Sequence, residues 1–527
     1  MPQGATQAER FPARRSAALA GSGILLSRLS GLVRERVFAY FFGNSAAADA
    51  FKAAFRIPNL LQNLFGEGVL SASFIPVYIG LMAKGDEEEA RRLAGGILAI
   101  LALGTAIFVA IGVVAAPWLI DLIAAGFRGT TRLLTIRLVR ILFPGAGLLV
   151  ISAWCLGVLN SHRRFFLSYA APVIWNGAII AAMVLFGWRY GRFDLAEWTA
   201  LGAVVGSGLQ VAIQWPAVHK ILGQLRLSLN YRAQHIREVI RNAAPVFAGR
   251  GVIQISAYID AWLASWLPTG AMATLAYSQT LYLLPISLFG MSVSAVELPA
   301  MSGVVAGEDA EAQLRQRLGF GLRQIAFLVV PSAVAFLALG DVIVAAIYRT
   351  GAFGSSDVLW VWGTLAGASV GLVASGLGRL YSSTYYALRD TRSPLNYAMV
   401  RVSLTTVLGV IAAFWLPGWL GINAKWGVAG LTLAAGIAAW VEMTLLRRGL
   451  RRRIQAPRVS RLFLAKIASA AIAAAIAGRA LLRALPHWGT WSTAILVLGL
   501  YGAVYLSAAW AMRVPELRAL RRLLRAR

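Results

Sequence analysis

Apolar runs of membrane-spanning length, separated by short polar connections, recur along this chain. Fourteen can be marked, at roughly 17–42, 50–83, 94–123, 133–159, 165–187, 197–219, 239–267, 271–303, 319–347, 358–387, 394–416, 422–446, 460–482 and 490–512. About twenty apolar residues in helical rise cover a hydrocarbon core of ~30 Å. A backbone crossing that core must satisfy its own N–H and C=O groups, which an α-helix does. The pattern predicts an all-α polytopic membrane protein with about 14 transmembrane helices. A β-barrel would instead alternate in segments of about ten residues.

The second run breaks the apolar pattern most. It carries Asp49, Lys52, Arg56, Asn59, Asn63, Glu67 and Ser71. At about 100° per residue these fall within roughly 120° of one helix face. A charged stripe inside hydrocarbon has to face protein or a water-filled cavity. The first run adds Arg28, Arg34, Glu35 and Arg36, with Arg28 and Glu35 on one face. The seventh contains Arg250, Gln254, Ser256 and Asp260, the eighth Gln279 and Thr280, and Arg379 and Arg401 follow in the tenth and eleventh. Arginine suits phosphate because its planar fork binds two oxygens and stays charged when desolvated. These residues predict a cationic path for a polar, anionic group. Pairing between helices and snorkelling to the interface are the alternatives for each arginine alone.

Composition agrees. The chain of 527 residues is 58% hydrophobic and only 14% charged, with a mean hydropathy of +0.68. The net charge of +28 would elsewhere point to nucleic acid, but no aromatic–basic module accompanies it. The basic residues concentrate in alternate connections instead. With the N-terminus inside, 31 Lys and Arg fall on the cytoplasmic side and 8 on the other, which predicts an even number of spans with both termini cytoplasmic. The single cysteine, Cys155, excludes an intrachain disulfide. The four histidines are scattered at connections, so no metal site is expected. No Walker-type phosphate loop is present, so ATP hydrolysis by the chain is not expected. The acidic run Asp86–Glu89 reads as a solvated helix start.

A faint repeat relates Leu64-Phe65-Gly66 to Leu288-Phe289-Gly290, and the connection Leu159–Arg164 to Leu388–Arg392. An offset of six spans preserves topology, so two parallel repeats are expected. The predicted organisation is a cytoplasmic tail over 1–16, an N-terminal lobe over 17–222, a second lobe over 223–448, two further helices over 449–512 and a basic tail over 513–527.

Ser27-Arg28-Leu29-Ser30-Gly31-Leu32-Val33-Arg34-Glu35, Phe42-Gly43, Asp49-Ala50-Phe51, Phe55-Arg56-Ile57-Pro58-Asn59-Leu60-Leu61 and Glu67-Gly68 follow one another in an order and spacing that resemble the N-terminal signature of the MurJ/MviN lipid II flippases. Looser similarity continues at Ala116-Pro117-Trp118, Gln254-Ile255-Ser256 and Leu298-Pro299. The resemblance implies two six-helix lobes around a central cavity, with the last two helices forming a groove for a lipid tail. It implies movement of undecaprenyl-diphosphate-linked peptidoglycan precursor across the bacterial inner membrane by alternating access. The expected partners are lipid II or a similar polyprenyl-diphosphate saccharide and membrane lipids, with no nucleic acid. The cell-wall synthesis machinery is an open partner. No cofactor is expected beyond a coupling ion or the membrane potential. The residues expected to bind substrate are Arg28, Arg34, Asp49, Arg56, Asn59, Glu67, Arg250 and Gln254. The chain departs from the family at Gln62-Asn63, where a basic pair is usual, and at Gln279-Thr280, where an Asp-Arg pair is usual. An exporter of another lipid-linked oligosaccharide or a small amphiphile is the alternative activity, and a non-transporting envelope scaffold a third.

Overall fold

Long helices follow the apolar runs in a computed structural model that describes residues 7–65, 67–225, 227–230, 232–291, 293–294, 297, 301, 310–484 and 489–517; side chains at 7–22, 24, 57–65, 67–68, 165, 244–257, 291 and 310 are outside the description. The main helices are α1 (Gln7–Phe42), α2 (Ala46–Phe65), α3 (Glu67–Ala83), α4 (Glu87–Ile123), α5 (Gly129–Ser161), α6 (Phe165–Phe186), α7 (Arg192–Leu222), α8 (Gln234–Ser265), α9 (Ala271–Pro285, continued by a π-helical turn), α10 (Ala310–Tyr348), α11 (Ser355–Ser369), α12 (Leu372–Ala387), α13 (Arg392–Val410, also continued by a π-helical turn), α14 (Gly427–Ile454), α15 (Arg461–Ala484) and α16 (Thr490–Ala511). Among the described residues, nine helices are long and apolar enough to cross a membrane, and α11 with α12, bent by 42°, makes a tenth. The four other expected spans fall on α1, α2 with α3, α8, and α9. Charged residues interrupt α1, α2 and α8, while α3 and α9 are shorter than the spanning length, and the chain is a multi-pass helical membrane protein of the expected plan.

The chain divides into two compact units, Met1–Trp266 and Leu267–Arg527. In the first, α5 is central and packs against α2, α4 and α7, while α1 lies along α6. A core of Phe74, Tyr78, Ile97, Trp154, Val158 and Val218 fills the space among α3, α4, α5 and α7. Helix α8, placed by the sequence reading in the lobe beginning at 223, packs within this first unit against α3 and α4. Gly96 permits that approach: a Cβ there would sit 2.5 Å from Ile236 Cδ1.

In the second unit, α14 packs against α11, α12 and α13, and α10 against α11, α12, α15 and α16. The α11–α12 bend lies at Gly371, where a Cβ would fall 2.4 Å from the Cα of Gly436 on α14. Only paired glycines allow the two backbones to meet so closely. Helix α10 is interrupted twice. Pro331 lies in its interior, and Leu339 has non-helical angles (φ −128°, ψ 15°). Proline has no N–H, so the carbonyl of Phe327 loses its intrahelical donor. The Tyr505 hydroxyl donates to that oxygen at 2.6 Å, and the Tyr501 hydroxyl donates to the Pro331 carbonyl at 2.7 Å. Near the second break, Trp362 Nε1 donates to the Phe336 carbonyl at 3.1 Å. Arg479 of α15 then binds Asp341 through both oxygens, at 2.8 and 2.9 Å.

The two connections that look alike in sequence turn alike. Arg163 (φ 59°) and Arg389 (φ 58°) are both left-handed. Each donates to the carbonyl three residues back, and the next residue donates five back. That is the Schellman helix end, which satisfies carbonyls otherwise left open. His162 Nε2 lies 3.0 Å from the Tyr78 hydroxyl, and burial, with Arg164 nearby, lowers the imidazole pKa below its ordinary value. At the second connection, Asp390 accepts from the Ser393 hydroxyl and backbone N–H and pairs with Arg453. These bonds depress its pKa to about 2.

At the helix ends remote from the basic connections, Trp118, Trp188, Trp266, Trp415, Trp419 and Trp491 are exposed. Exposed indoles there fit the headgroup level of a bilayer.

Candidate cationic binding site

Helices α1 and α2 form an antiparallel hairpin about the Gly43 turn. Residues nearly equidistant from such a turn face each other, which brings Glu35 of α1 against Lys52 of α2. Lys52 Nζ lies 2.5 Å from Glu35 Oε2, and Arg34 Nη2 lies 2.9 Å from Glu35 Oε1. Side-chain exposure is 11% for Lys52, 8% for Glu35 and 19% for Arg34. One buried carboxylate thus serves two cations, one on each oxygen.

Arg34 is held from a third side by α6. Its Nη1 donates to Asn176 Oδ1 at 3.1 Å, and Asn176 Nδ2 donates to Ser30 Oγ at 2.8 Å. Ser30 Oγ donates in turn to the Ser27 carbonyl. The guanidinium carbon lies 5.2 Å from the Trp175 ring centroid and 5.7 Å from that of Phe55, within cation–π range. Phe55 and Trp175 stack at 5.6 Å, and Trp175 Nε1 donates to the Ala203 carbonyl of α7. Lys52 Nζ lies 4.2 Å from the Phe38 ring centroid. Aromatic faces therefore supply part of what each cation loses by leaving water. Removing the carboxylate alone would leave two buried positive groups deprived of it, at a cost of about 3–5 kcal/mol.

The remaining expected residues divide by position. Asp49 is buried in the first turn of α2, where a carboxylate complements the helix dipole. Arg56 is half-buried, within electrostatic reach of Asp260 on α8, and its carbonyl accepts from the Tyr258 hydroxyl at 2.9 Å. Arg28, seven residues before Glu35, is exposed and makes no hydrogen bond or ion pair with a described residue. Asn59, Glu67, Arg250 and Gln254 lie outside the residues whose side chains are described. The structure thus brings Arg34 together with Lys52, Glu35, Asn176 and Trp175, none of which was among the expected binding residues. Opposite charges balanced about a hairpin turn were a usable signal for Lys52 and Glu35. A lone Asn-Trp pair in the fifth run gave none.

Chemically, the cluster presents guanidinium and ammonium donors in surroundings that water reaches poorly, which suits a phosphate or carboxylate anion.

The model of the family "Lipid II flippase MurJ" matches residues 38–502. The chain is 31% identical over 437 residues to a lipid II flippase MurJ of Burkholderia cenocepacia, covering 81% of this chain and 82% of that one. It is 29% identical over 512 residues to a probable lipid II flippase MurJ of Vibrio cholerae, covering 94% of each. Among solved structures it is similar to a lipid II flippase MurJ in an inward closed conformation, with a TM-score of 0.77 and 23% identity over 94% of this chain and 98% of that one. It is also similar to an inward-facing multidrug-resistance transporter of the MATE family and MOP superfamily, with a TM-score of 0.66 and 17% identity over 83% and 98%. The fold is thus one shared with these transporters, and the chain belongs to the lipid II flippase MurJ family.

Proposed function

We propose that the chain moves lipid II, the undecaprenyl-diphosphate-linked peptidoglycan precursor, from the inner to the outer leaflet of the bacterial cytoplasmic membrane by alternating access. The observation that carries this reading is the buried cluster in which Arg34 and Lys52 share Glu35. A diphosphate needs several cations in a place water does not fill, and family membership supplies the substrate class. In this reading Arg28, exposed and unengaged among the described residues, makes the first contact with the headgroup. Both termini are cytoplasmic, which the distribution of basic connections supports. The chain carries no phosphate loop, so the step runs without ATP hydrolysis of its own.

The test is Arg28→Ala in proteoliposomes carrying labelled lipid II. Lipid II movement should be lost while the amount and melting behaviour of the protein are unchanged. Wild-type turnover by the variant would overturn the assignment of Arg28. A second activity, export of a different lipid-linked saccharide, is favoured by the neutral Gln62-Asn63 and Gln279-Thr280 where the family is usually charged. Rescue of a strain depleted of its own lipid II flippase separates the two: growth supports lipid II, and failure by a well-expressed protein supports the other saccharide.

A further inference from the structure

The turn joining α12 to α13 brings a second pair of charges together, as the Gly43 turn does for Glu35 and Lys52. Arg379 and Arg401 each lie eleven residues from Asp390, one on either side. Arg379 is eight residues before the end of α12, and Arg401 is nine after the start of α13. At the rise of an α-helix both stand about 12–14 Å inside their helix ends. Here both members of the pair are positive. The two guanidiniums are within electrostatic reach of each other and of the Tyr282 hydroxyl on α9.

Among the described residues, one carboxylate serves them. Glu442 of α14 accepts from Arg401 Nη1 at 3.0 Å. Arg379 is exposed and makes no side-chain hydrogen bond or ion pair with a described residue. Its neighbours are hydroxyls instead of acids. Tyr282 donates to Ser375 Oγ at 2.9 Å, and Tyr386 lies within electrostatic reach of Arg379. Two cations and one carboxylate leave a positive charge over, inside a span where an arginine has to meet protein or a water-filled space. A guanidinium drawn to the interface would move away from a like charge, yet Arg379 stays within reach of Arg401. An oxyanion between the two would neutralise the surplus and occupy the idle N–H groups. Each planar fork can hold two phosphate oxygens, and the hydroxyls alongside suit the others.

We propose that Arg379 and Arg401 form an oxyanion site in the second unit that takes the phosphate of a lipid-borne ligand, with Glu442 holding Arg401 in place. The site goes beyond the reading of the first-unit cluster and does not rest on it. Two ligands share the required chemistry, the lipid-linked diphosphate and an anionic phospholipid of the bilayer.

Phenylglyoxal, which modifies free guanidinium groups, tests this one arginine at a time in phosphatidylcholine nanodiscs, with the labelled peptides read by mass spectrometry. Inorganic pyrophosphate should slow labelling of Arg379 and leave the exposed Arg392 at the start of α13 unaffected. In Arg401→Gln/Glu442→Gln, which removes a cation together with its carboxylate, the pyrophosphate concentration needed to protect Arg379 should rise about tenfold or more. No protection, equal protection of Arg392, or the same protection in the double variant overturns the proposal. Ligand-free Arg379→Gln should melt at or above the wild-type temperature, because a like-charge contact is removed. A lower melting temperature would show that Arg379 holds the helices together, and would overturn its reading as an uncommitted cation. Lipid II and phosphatidylglycerol then replace pyrophosphate. Protection of Arg379 by lipid II assigns the site to the substrate, and protection by phosphatidylglycerol alone assigns it to the bilayer. Protection by neither overturns the lipid-borne ligand. If lipid II protects neither Arg379 nor Arg34 while phosphatidylglycerol protects Arg379, the flippase reading fails and this site stands.

Discussion

Tyr505→Phe removes one hydroxyl from a buried face of α16, and the consequence depends on a proline in another helix. The Phe327 carbonyl has no intrahelical donor because residue 331 is proline, and Tyr505 supplies one at 2.6 Å. Interhelical hydrogen bonds in membranes average ~0.6 kcal/mol because unfolded segments find other partners. An acceptor left buried with no donor costs more, about 1–3 kcal/mol. Tyr505 is 5% exposed, so water offers little relief, and the expected loss is about 1.5 kcal/mol, close to a tenfold shift in the folding equilibrium. Tyr501→Phe is the internal control. Its acceptor, the Pro331 carbonyl, still faces the N–H of residue 335 at helical spacing, so that loss should be about 0.5 kcal/mol. The decisive comparison is made in a Pro331→Ala background, where the N–H returned to position 331 can serve Phe327. There Tyr505→Phe should cost under about 0.5 kcal/mol, a coupling of about 1 kcal/mol by double-mutant cycle. Reversible unfolding in mixed micelles, followed by tryptophan fluorescence, gives the four free energies. Equal losses in the two backgrounds would refute the argument that Tyr505 replaces the donor missing from proline.

Two connections give further expectations, both read from pH-dependent stability. The folded-state pKa of His162 is lowered by burial and by Arg164, so the unfolded chain takes up the proton first. Stability should hold above pH ~6.5 and fall below it. His162→Gln should flatten that part of the profile, and a wild-type slope of opposite sign, or none, would show that the imidazole is not held neutral. Asp390, with its pKa depressed to about 2, has the usual carboxylate sign. Its contribution is present above pH ~4 and lost as the pH falls from there toward 2. Asp390→Ala should cost about 1 kcal/mol at neutral pH, the usual worth of a carboxylate accepting from the first turn of a helix. The gap from wild type should close in acid, and a gap independent of pH would assign the loss to packing instead.

Most of the plan of spans was legible because hydrocarbon imposes length and composition on each helix. Of the four spans that fail the apolar test, α1, α2 and α8 were visible because charges interrupt otherwise apolar runs, while α3 and α9 are apolar helices shorter than a full crossing. The unit to which α8 belongs was not legible. Its packing on α4 includes Ile236 seated against Gly96, a match of shape that no periodicity records. The break at Leu339 was marked in the sequence only by the adjacent Gly340, which periodicity does not distinguish from the glycines of unbroken helices. In the site, Arg34 and Asp49 stand out as charges in apolar sequence. Asn176 and Trp175 come from a helix more than a hundred residues away, and their relation to Arg34 exists only once α1 lies along α6. Lys52 and Glu35 were visible as charges, but their pairing needed the hairpin.

Exposed tryptophans such as Trp188 and Trp419 stand at helix ends away from the most basic connections, although exposed Trp510 lies beside Arg513, and the two kinds of anchor respond to different conditions. An arginine beside an anionic lipid surface acts through a field that dissolved ions screen within about 8 Å at physiological ionic strength. Exposed indoles, such as Trp188 and Trp419, depend on amphipathic fit that ions hardly alter. Raising the salt concentration would therefore weaken the hold of the basic connections on a charged bilayer and leave the hold of the indoles intact.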